Sequence, residues 1–461
     1  MFAIGPIGIA FFGFISIPIM AWIFSAEDIA RLTIVQLTNT FAVLVLTLGL
    51  DQAYIREYEN TKEKAKLLKS CLFPGLILLI FINFIMVYNA NYFSKLFFEK
   101  SDYYLIILLA AYITFSFFTR FLSLILRMEE KGLAFSLSQI APKVTFLILI
   151  LFVSFYKNLN FTHLFIIQLL SIATVFIFFT WNTREKWIIA TREKFEIKNT
   201  KSLLSYGYPL ALGGIAYWGL TSIDKIMLKT YSSLDQLGIY SISISFAGAA
   251  LIIQSIFSTI WAPTVFKWIN QENGIAKINI IRSHLTQIIF IIFLLFCSSA
   301  WLIDYILPNK YNDVKYIFMA CLCFPLLYTL SETTVIGINI SRKTYLSFLA
   351  SMIALIFNII TCYFLIPKFG AFGAAVSTSL SFFVFLVART ELSIIVWKKF
   401  PRLKIYILSV LMITTSSLII VFREYIDITF YTLSTLITGI YILVYLKKNL
   451  NQLKILLKNK A

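Results

Sequence analysis

Charged residues in this chain are confined to short gaps between long apolar runs. A run of about 20 apolar residues spans the roughly 30 Å of membrane hydrocarbon when it forms an α-helix. The pattern therefore predicts an all-α polytopic membrane protein with about 14 transmembrane helices and no soluble domain. The predicted segments are 2–24, 32–55, 70–89, 103–126, 133–156, 164–182, 205–223, 237–260, 285–307, 315–338, 346–366, 374–396, 405–422 and 428–446.

The composition agrees with a membrane location for the whole chain. Of the 461 residues, 59% are hydrophobic and 13% are charged, which is about half the charged fraction of a typical soluble domain. The formal net charge of +18 would suit a nucleic-acid partner, but the basic residues lie in the gaps that flank the apolar runs. Membrane topology and attraction to anionic lipids explain that placement better, so no nucleic-acid partner is expected.

Lysine and arginine are distributed unequally between the two sets of loops. The set that includes the C-terminal tail holds 27 of them, and the opposite set holds 10. Because positively charged loops are retained in the cytoplasm, both termini are predicted to be cytoplasmic, in agreement with an even number of segments. The tail after 446 interleaves leucines with lysines and is predicted to lie on anionic lipid as an amphipathic helix.

A basic linker separates two groups of six segments. Its residues Trp187, Ile188 and Phe195 would let it lie on the membrane surface, and a solvated connector is the alternative. The predicted domains are an N-terminal lobe (1–182), this cytoplasmic linker (183–204), a C-terminal lobe (205–396), and two last helices with a basic cytoplasmic tail (397–461).

A faint internal repeat relates the two lobes. The stretch that starts at Ser25 matches the one that starts at Ser232, and both precede the second helix of their lobe. Tandem six-helix halves in the same orientation are typical of transporters that work by alternating access, with the substrate site between the lobes.

Short motifs in both lobes carry a resemblance to a known family. The clearest stretch, 206–268, contains Tyr208-Pro209, Asp224-Lys-Ile-Met-Leu228, Leu237-Gly238-Ile-Tyr240 and Trp261-Ala-Pro263. The first lobe contains Ile17-Pro18, Ser25-Ala-Glu-Asp28, and Leu48-Gly-Leu-Asp51 followed by Arg56-Glu-Tyr58. With the fourteen-segment layout, these motifs resemble the polysaccharide flippases of the multidrug/oligosaccharidyl-lipid/polysaccharide (MOP) exporter superfamily.

The resemblance implies a MATE/MOP-like fold and a flippase of the bacterial inner membrane. Its expected cargo is an oligosaccharide on undecaprenyl pyrophosphate, the repeat unit of O-antigen lipopolysaccharide or of capsule. The expected partners are this lipid-linked oligosaccharide, membrane lipids, a polysaccharide polymerase with its assembly machinery, and a proton or sodium ion that couples transport. The chain departs from the family at Arg31, where the second lobe has Gly238 and family members more often have glycine.

Three cations lie deep within apolar runs, where a charge costs at least ~2.5–3.5 kcal/mol. Lys143 follows Pro142, a residue that favours a helix kink, and it is predicted to bind pyrophosphate or an acidic sugar; a structural pairing is the alternative. Arg120 either recognises phosphate through its guanidinium fork or extends to the lipid headgroups. Arg389 is a candidate for gating or for a structural role near Glu391.

Five further charges are candidates for the transport site. Asp51 and Arg56 are predicted to end the second segment, and Asp224 and Lys225 the seventh. Each pair is either a local ion pair worth ~0–1 kcal/mol or, because the resemblance implies that these helices line the cavity, a set of gates and ligands. Arg56, Asp224 and Lys225 are then substrate-binding candidates and Asp51 a gating candidate. Glu332 either titrates in ion coupling or is a hydrogen-bonded carboxylate without that role.

Motifs that are typical of enzymes are missing from the sequence. It contains no GxxxxGK[ST] loop for ATP, no HExxH and no Ser/His/Asp set. The protein is therefore not expected to be an enzyme or to need a metal or a cofactor. Two alternative functions stay open. The fourteen segments and basic intramembrane residues disfavour a multidrug/cation antiporter, and the short outward loops disfavour an integral-membrane polysaccharide polymerase.

Overall fold

The computed structural model describes residues 4–156, 158–269 and 271–458. Over these residues, the regular elements are all helical and no β-strand occurs. In the N-terminal part the α-helices are α1 (Ile4–Ile23), α2 (Ala26–Thr47), α3 (Leu50–Glu57), α4 (Lys64–Tyr88), α5 (Ala90–Phe98), α6 (Tyr103–Met128), α7 (Gly132–Val153), α8 (Phe161–Asn182), α9 (Arg184–Arg192) and α10 (Ile197–Tyr231). They continue as α11 (Leu234–Trp268), α12 (Gly274–Ser299), α13 (Ile303–Ile306), α14 (Val314–Cys321), α15 (Cys323–Thr334), α16 (Ile336–Ile340), α17 (Tyr345–Val396), α18 (Leu403–Val421) and α19 (Ile428–Lys458).

The helices confirm the predicted class of an all-α polytopic membrane protein. Within the described residues, 11 helices are long and apolar enough to cross a membrane. One of them, α17, comprises two helices joined at Gly370, whose φ of 53° and ψ of −129° are not helical. Together with the shorter apolar α1 and the long α10, these helices account for the fourteen predicted segments.

The helices α10, α11 and α12 extend well beyond their predicted apolar runs. Helix α10, for example, covers Ile197–Tyr231, whereas the run of hydrophobic residues predicts only 205–223. Helical hydrogen bonding continues into the polar membrane interface, where Lys and Arg near a helix end are tolerated. Asp224 and Lys225 therefore lie within α10, and the prediction that they end the seventh segment is wrong.

The second predicted segment is broken in two by a left-handed turn. Leu48 and Gly49, between α2 and α3, have φ values of 51° and 73°. Glycine adopts this conformation without strain, which explains why it follows the last turn of α2. The break starts a new helix, α3, and places Asp51 in its first turn, where a negative charge is favourable.

The chain divides into two compact units, Met1–Ser241 and Ile242–Ala461. In the first, α1 packs along α7, α6 packs along α8, and α10 lies against α2 and α3. The rings of Phe98, Phe161 and Phe165 are fully buried there. In the second unit, α15 packs against α17 and α12 against α19. The domain boundaries proposed from the sequence stay a prediction.

The basic linker contains a helix, α9, that packs against the first unit. The Trp187 indole N–H donates to a backbone carbonyl of α8, and Lys69 of α4 donates to two carbonyls at the end of α9. Lys186 reaches Glu129 at 3.2 Å. Burial raises the pKa of Glu129, but hydrogen bonds from Lys131 and Lys186 outweigh it and hold this pKa below its ordinary value. This part of the linker is thus packed rather than a purely solvated connector.

At the other end of the chain, α19 continues to Lys458. The predicted amphipathic face of the tail falls on side chains beyond Lys448, which lie outside the described ones.

Candidate functional site

Asp51 and Arg120 form an ion pair between α3 and α6. The Arg120 Nε and Nη2 atoms donate to Asp51 Oδ2 at 3.1 and 2.5 Å, and the Gln52 amide donates to the same oxygen. The Asp51 side chain is 8% exposed and that of Arg120 is 43% exposed. The local pair predicted between Asp51 and Arg56 is not formed, because the break before α3 directs Asp51 toward α6. Asp51 fixes the position of the Arg120 side chain, and part of this side chain remains exposed.

Arg56, at the end of α3, instead lies over the ring of Tyr206 in α10. The guanidinium carbon is 4.2 Å from the ring centroid, a geometry that favours a cation–π attraction. Glu57 approaches Arg56 at 3.5 Å, but both side chains are substantially exposed, so that this pair is weak. Arg56 therefore remains a largely accessible positive charge.

Lys143 lies in the middle of α7 and is half-buried. Among the described residues, no carboxylate oxygen lies within 4.0 Å of its ammonium group. The two other cations within apolar runs, Arg120 and Arg389, each have a carboxylate partner. Of the three deep cations, Lys143 is therefore the one that has no carboxylate partner in the described part of the chain. The sequence likewise shows no obvious acidic neighbour for it.

Asp224 and Lys225 of α10 form a buried polar cluster with Tyr240 of α11. The Tyr240 hydroxyl donates to Asp224 Oδ2 at 2.5 Å, and Lys225 Nζ donates to Asp224 Oδ1 at 3.2 Å and to a backbone carbonyl at 2.8 Å. The Asp224 side chain is only 1% exposed. The carboxylate is neutralised by its partners, which leaves little capacity to bind a cation.

In the second unit, the structure brings Glu332 and Arg389 together. Arg389 Nη1 donates to Glu332 Oε1 at 2.9 Å and to Ser331 Oγ at 2.8 Å. The neighbour expected from the sequence, Glu391, pairs instead with Arg402 at 2.6 Å. The reason is helical geometry: positions two apart on α17 point in different directions. Glu332 and Arg389 are candidate gating residues that form a single unit.

Replacing Arg389 with leucine is expected to destabilise the protein by about 3–5 kcal/mol, because Glu332 would keep a charge without its partner. The melting temperature of the purified protein in detergent measures this effect. The double variant Arg389→Leu/Glu332→Gln should recover most of the loss, since it removes both charges. A single variant as stable as the wild type would contradict the pairing.

Two functional candidates escaped the sequence analysis. Arg282 is buried in α12, donates through Nε and Nη2 to the carbonyl of Thr333, and lies over the ring of Phe400 at 3.8 Å. It was missed because the apolar run that predicts this helix starts only at 285. In the sequence Tyr240 stands out only as part of a motif, and nothing in its spacing indicates that its hydroxyl donates a hydrogen bond to Asp224.

Two glycines of the first unit permit close backbone contacts that no other residue would allow. A methyl group on Gly238 would overlap the carbonyl oxygen of Ala26, and one on Gly49 would overlap the carbonyl oxygen of Gly207. Gly238 and Ala26 belong to the two copies of the internal repeat, so the repeats meet at this point. Arg31, the repeat counterpart of Gly238, donates instead to the carbonyl of Phe98 at 3.1 Å.

Taken together, the predicted site residues favour an anionic ligand. Their three carboxylates, Asp51, Asp224 and Glu332, each have a cationic partner, whereas Lys143 has none within ion-pair distance in the described part of the chain. Over the same part of the chain, no group of three His, Cys, Asp or Glu side chains could hold a metal ion. The roles of the individual residues stay predictions.

Comparisons with known proteins define the family and the fold. The family model described as "Polysaccharide biosynthesis protein" matches residues 2–271, and no curated protein matches the chain. The chain is similar to a structure of the lipid II flippase MurJ in an inward closed conformation, with a TM-score of 0.73 and 16% identity over 98% of this chain and 99% of that one.

Transporters of the MATE family are similar over most of their length. An inward-facing MATE transporter of the MOP superfamily has a TM-score of 0.54 and 14% identity over 90% of this chain and 99% of its own. The Vibrio cholerae MATE transporter VcmN has a TM-score of 0.51 and 13% identity, over 85% and 94%. At these identities the likeness shows the fold alone, which is the MurJ and MATE fold. Because the family model covers more than half of the chain, this protein belongs to the polysaccharide biosynthesis protein family.

Proposed function

We propose that this protein is a flippase that carries a lipid-linked oligosaccharide across the bacterial inner membrane. The cargo is an oligosaccharide on undecaprenyl pyrophosphate, a repeat unit of O-antigen or capsule, which a polysaccharide polymerase and its assembly machinery then use. Both termini of the protein lie in the cytoplasm.

The observation that carries this proposal is the surplus of positive charge among the deep residues. In the described part of the chain, Lys143 has no carboxylate within ion-pair distance, and the carboxylates of Asp51 and Asp224 are already neutralised by Arg120 and Lys225. An ionisable residue within a membrane span is a candidate for function by default, and the natural partner of a cation is an anion such as pyrophosphate or an acidic sugar. The family and the fold shared with a lipid II flippase support the same class of cargo.

The mechanism that we propose separates the head group from its tail. The head group cannot cross hydrocarbon alone, because each unsatisfied polar group there costs several kcal/mol. Lys143 binds the pyrophosphate, Arg120 contributes further positive charge, Arg56 contacts the sugar part of the head group, and the polyprenyl tail remains in lipid. Alternating access exposes the head group first to the cytoplasm and then to the outside. A proton or a sodium ion drives the cycle, and the Glu332–Arg389 pair is our candidate for a gate.

A multidrug/cation antiporter is the second candidate, since MATE transporters share the fold. Such a function needs a carboxylate that is free to bind a cation. Asp51, Asp224 and Glu332 are each paired with a cation, which favours the flippase.

The proposal is tested in cells of the native host from which the gene has been deleted. We expect the lipid-linked oligosaccharide to accumulate on the cytoplasmic face and surface polysaccharide to be lost, with both restored by the wild-type gene. Sidedness is measured by accessibility of the glycan to a membrane-impermeant oxidant in intact and in opened cells. Normal surface polysaccharide, in a strain that has no second flippase, would contradict the proposal, and drug accumulation would then be measured.

A further inference from the structure

A polar groove of about 440 Å³ lies in the first unit, at the end that is predicted to be cytoplasmic. Its walls are α3, the following loop, the start of α4 and the start of α10. The side chains that define its chemistry are Arg56, Glu57, Thr61, Asn199, Ser202 and Tyr206. The groove is large enough to hold a small ligand, whose sites typically occupy 300–1,000 Å³.

The side chains of the groove combine hydrogen-bond donors and acceptors with an aromatic ring. Carboxylate oxygens accept, the guanidinium donates, and hydroxyl and amide groups do both. The lining residues include two cations, Arg56 and Lys66, and two carboxylates, Glu57 and Glu63, so that their formal charges sum to zero. This balance disfavours a strongly charged ligand and favours a neutral molecule with many hydroxyl groups, which can meet donors and acceptors at once.

A second groove in the same unit shows the contrast. It is about 420 Å³ in volume and is lined mainly by apolar side chains of α4, α6 and α8, such as Leu72, Phe73 and Phe118. That chemistry suits a hydrocarbon chain, whereas the polar groove would leave such a chain against unsatisfied polar groups. The two grooves therefore suit the two different parts of an amphiphilic molecule.

The polar groove is directly connected to one of the close glycine contacts. Gly49 immediately precedes α3, and Gly207 immediately follows Tyr206, so this contact joins the two walls of the groove. Opening of the contact would change the width of the groove. A ligand that fits a wider groove would favour separation of Gly49 and Gly207, and a ligand that fits the groove as it stands would favour their contact.

We propose that this polar groove is a docking site for the glycan of the lipid-linked oligosaccharide. The sugar contacts the Tyr206 side chain beside the Arg56 guanidinium that lies over its ring, and it exchanges hydrogen bonds with Glu57, Asn199 and Ser202. Docking here holds the glycan at the cytoplasmic end while the pyrophosphate reaches the deeper cations. The inference rests on the proposed function, since it assumes a glycan-bearing cargo.

The test is a binding measurement on the full-length protein in lipid nanodiscs. The probe is the lipid-linked oligosaccharide fraction extracted from cells that lack the protein, followed by native mass spectrometry. We expect the Asn199→Ala/Ser202→Ala variant and the Glu57→Gln variant each to bind at least 10-fold more weakly than the wild type. The matched control is Asn182→Ala, which removes an exposed amide that lies outside the groove. Melting temperatures verify that all variants are folded.

A second probe separates the glycan from the lipid. The glycan released from the same fraction by mild acid should compete for the wild type and lose that ability in the groove variants. Groove variants that bind the fraction as tightly as the wild type would overturn the docking site and leave the flippase intact. A wild type that fails to bind, together with deletion cells that accumulate no lipid-linked oligosaccharide, would overturn the proposed function itself.

Discussion

Replacement of Gly238 by alanine is expected to abolish transport, with surface polysaccharide falling at least 10-fold in complemented cells. The added methyl group would overlap the carbonyl oxygen of Ala26. Because that neighbour is backbone in a helix, it cannot turn away as a flexible side chain would. The close contact between the start of α2 and the start of α11 is therefore lost. Any conformation of the transport cycle that contains this contact is lost with it.

The same helices provide matched controls. A methyl group at Gly248 of α11, or at Gly213 of α10, would meet no atom within 4 Å, so that Gly248→Ala and Gly213→Ala should transport normally. Both should be slightly more stable, because alanine favours a helix over glycine by about 1 kcal/mol. Gly207→Ala is expected to behave like Gly238→Ala. Immunoblots of membranes correct for abundance, and full transport by Gly238→Ala at normal abundance would contradict the role of this contact.

Lys143→Ala is expected to reduce transport at least 10-fold without loss of folded protein. Among the residues that the structure describes, this cation has no carboxylate partner, so its removal leaves no buried charge unpaired and the fold should be retained. Lys143→Arg keeps the charge and should restore part of the activity, whereas Lys143→Gln should not. Surface polysaccharide per unit of membrane-inserted protein is the measurement.

Lys62→Ala is the matched control for this series. Lys62 is an exposed lysine in the loop between α3 and α4, and its removal should leave transport unchanged. Lys143→Ala with wild-type transport would remove Lys143 from the site. Lys143→Ala that fails to reach the membrane would instead indicate a structural role, and Lys143→Met, which keeps the shape of the side chain, distinguishes the two.

The transmembrane layout was predictable because the bilayer imposes its length on every apolar run. Helix ends were predicted less well. Helices α10 and α12 continue through charged residues beyond the apolar run. A prediction from hydropathy ends a helix where its apolar run ends. This error placed Asp224 at a helix end and removed Arg282 from consideration, although both side chains are buried within helices.

The partners of the charged residues were not predictable from spacing. Asp51 pairs with Arg120 of another helix rather than with Arg56, and Glu332 pairs with Arg389 across 57 positions. One sequence does not specify which face of a helix meets which neighbour, so only local pairs could be considered. The prediction for Lys143 rested on the lack of an obvious acidic partner nearby at comparable depth. The same argument would have failed for Arg120, whose partner Asp51 lies 69 positions away, and the role of Lys143 stays a prediction.

The most direct test of the central claim is flipping in proteoliposomes that contain the purified protein and the extracted lipid-linked oligosaccharide. A membrane-impermeant oxidant attacks only glycans on the outer surface, and detergent reveals the total. We expect the wild type, under a proton or a sodium gradient, to expose glycan that stays protected in empty liposomes and in liposomes with Lys143→Ala. Equal protection in all three preparations, under gradients of either ion and either direction, would contradict the conclusion that this protein is a flippase.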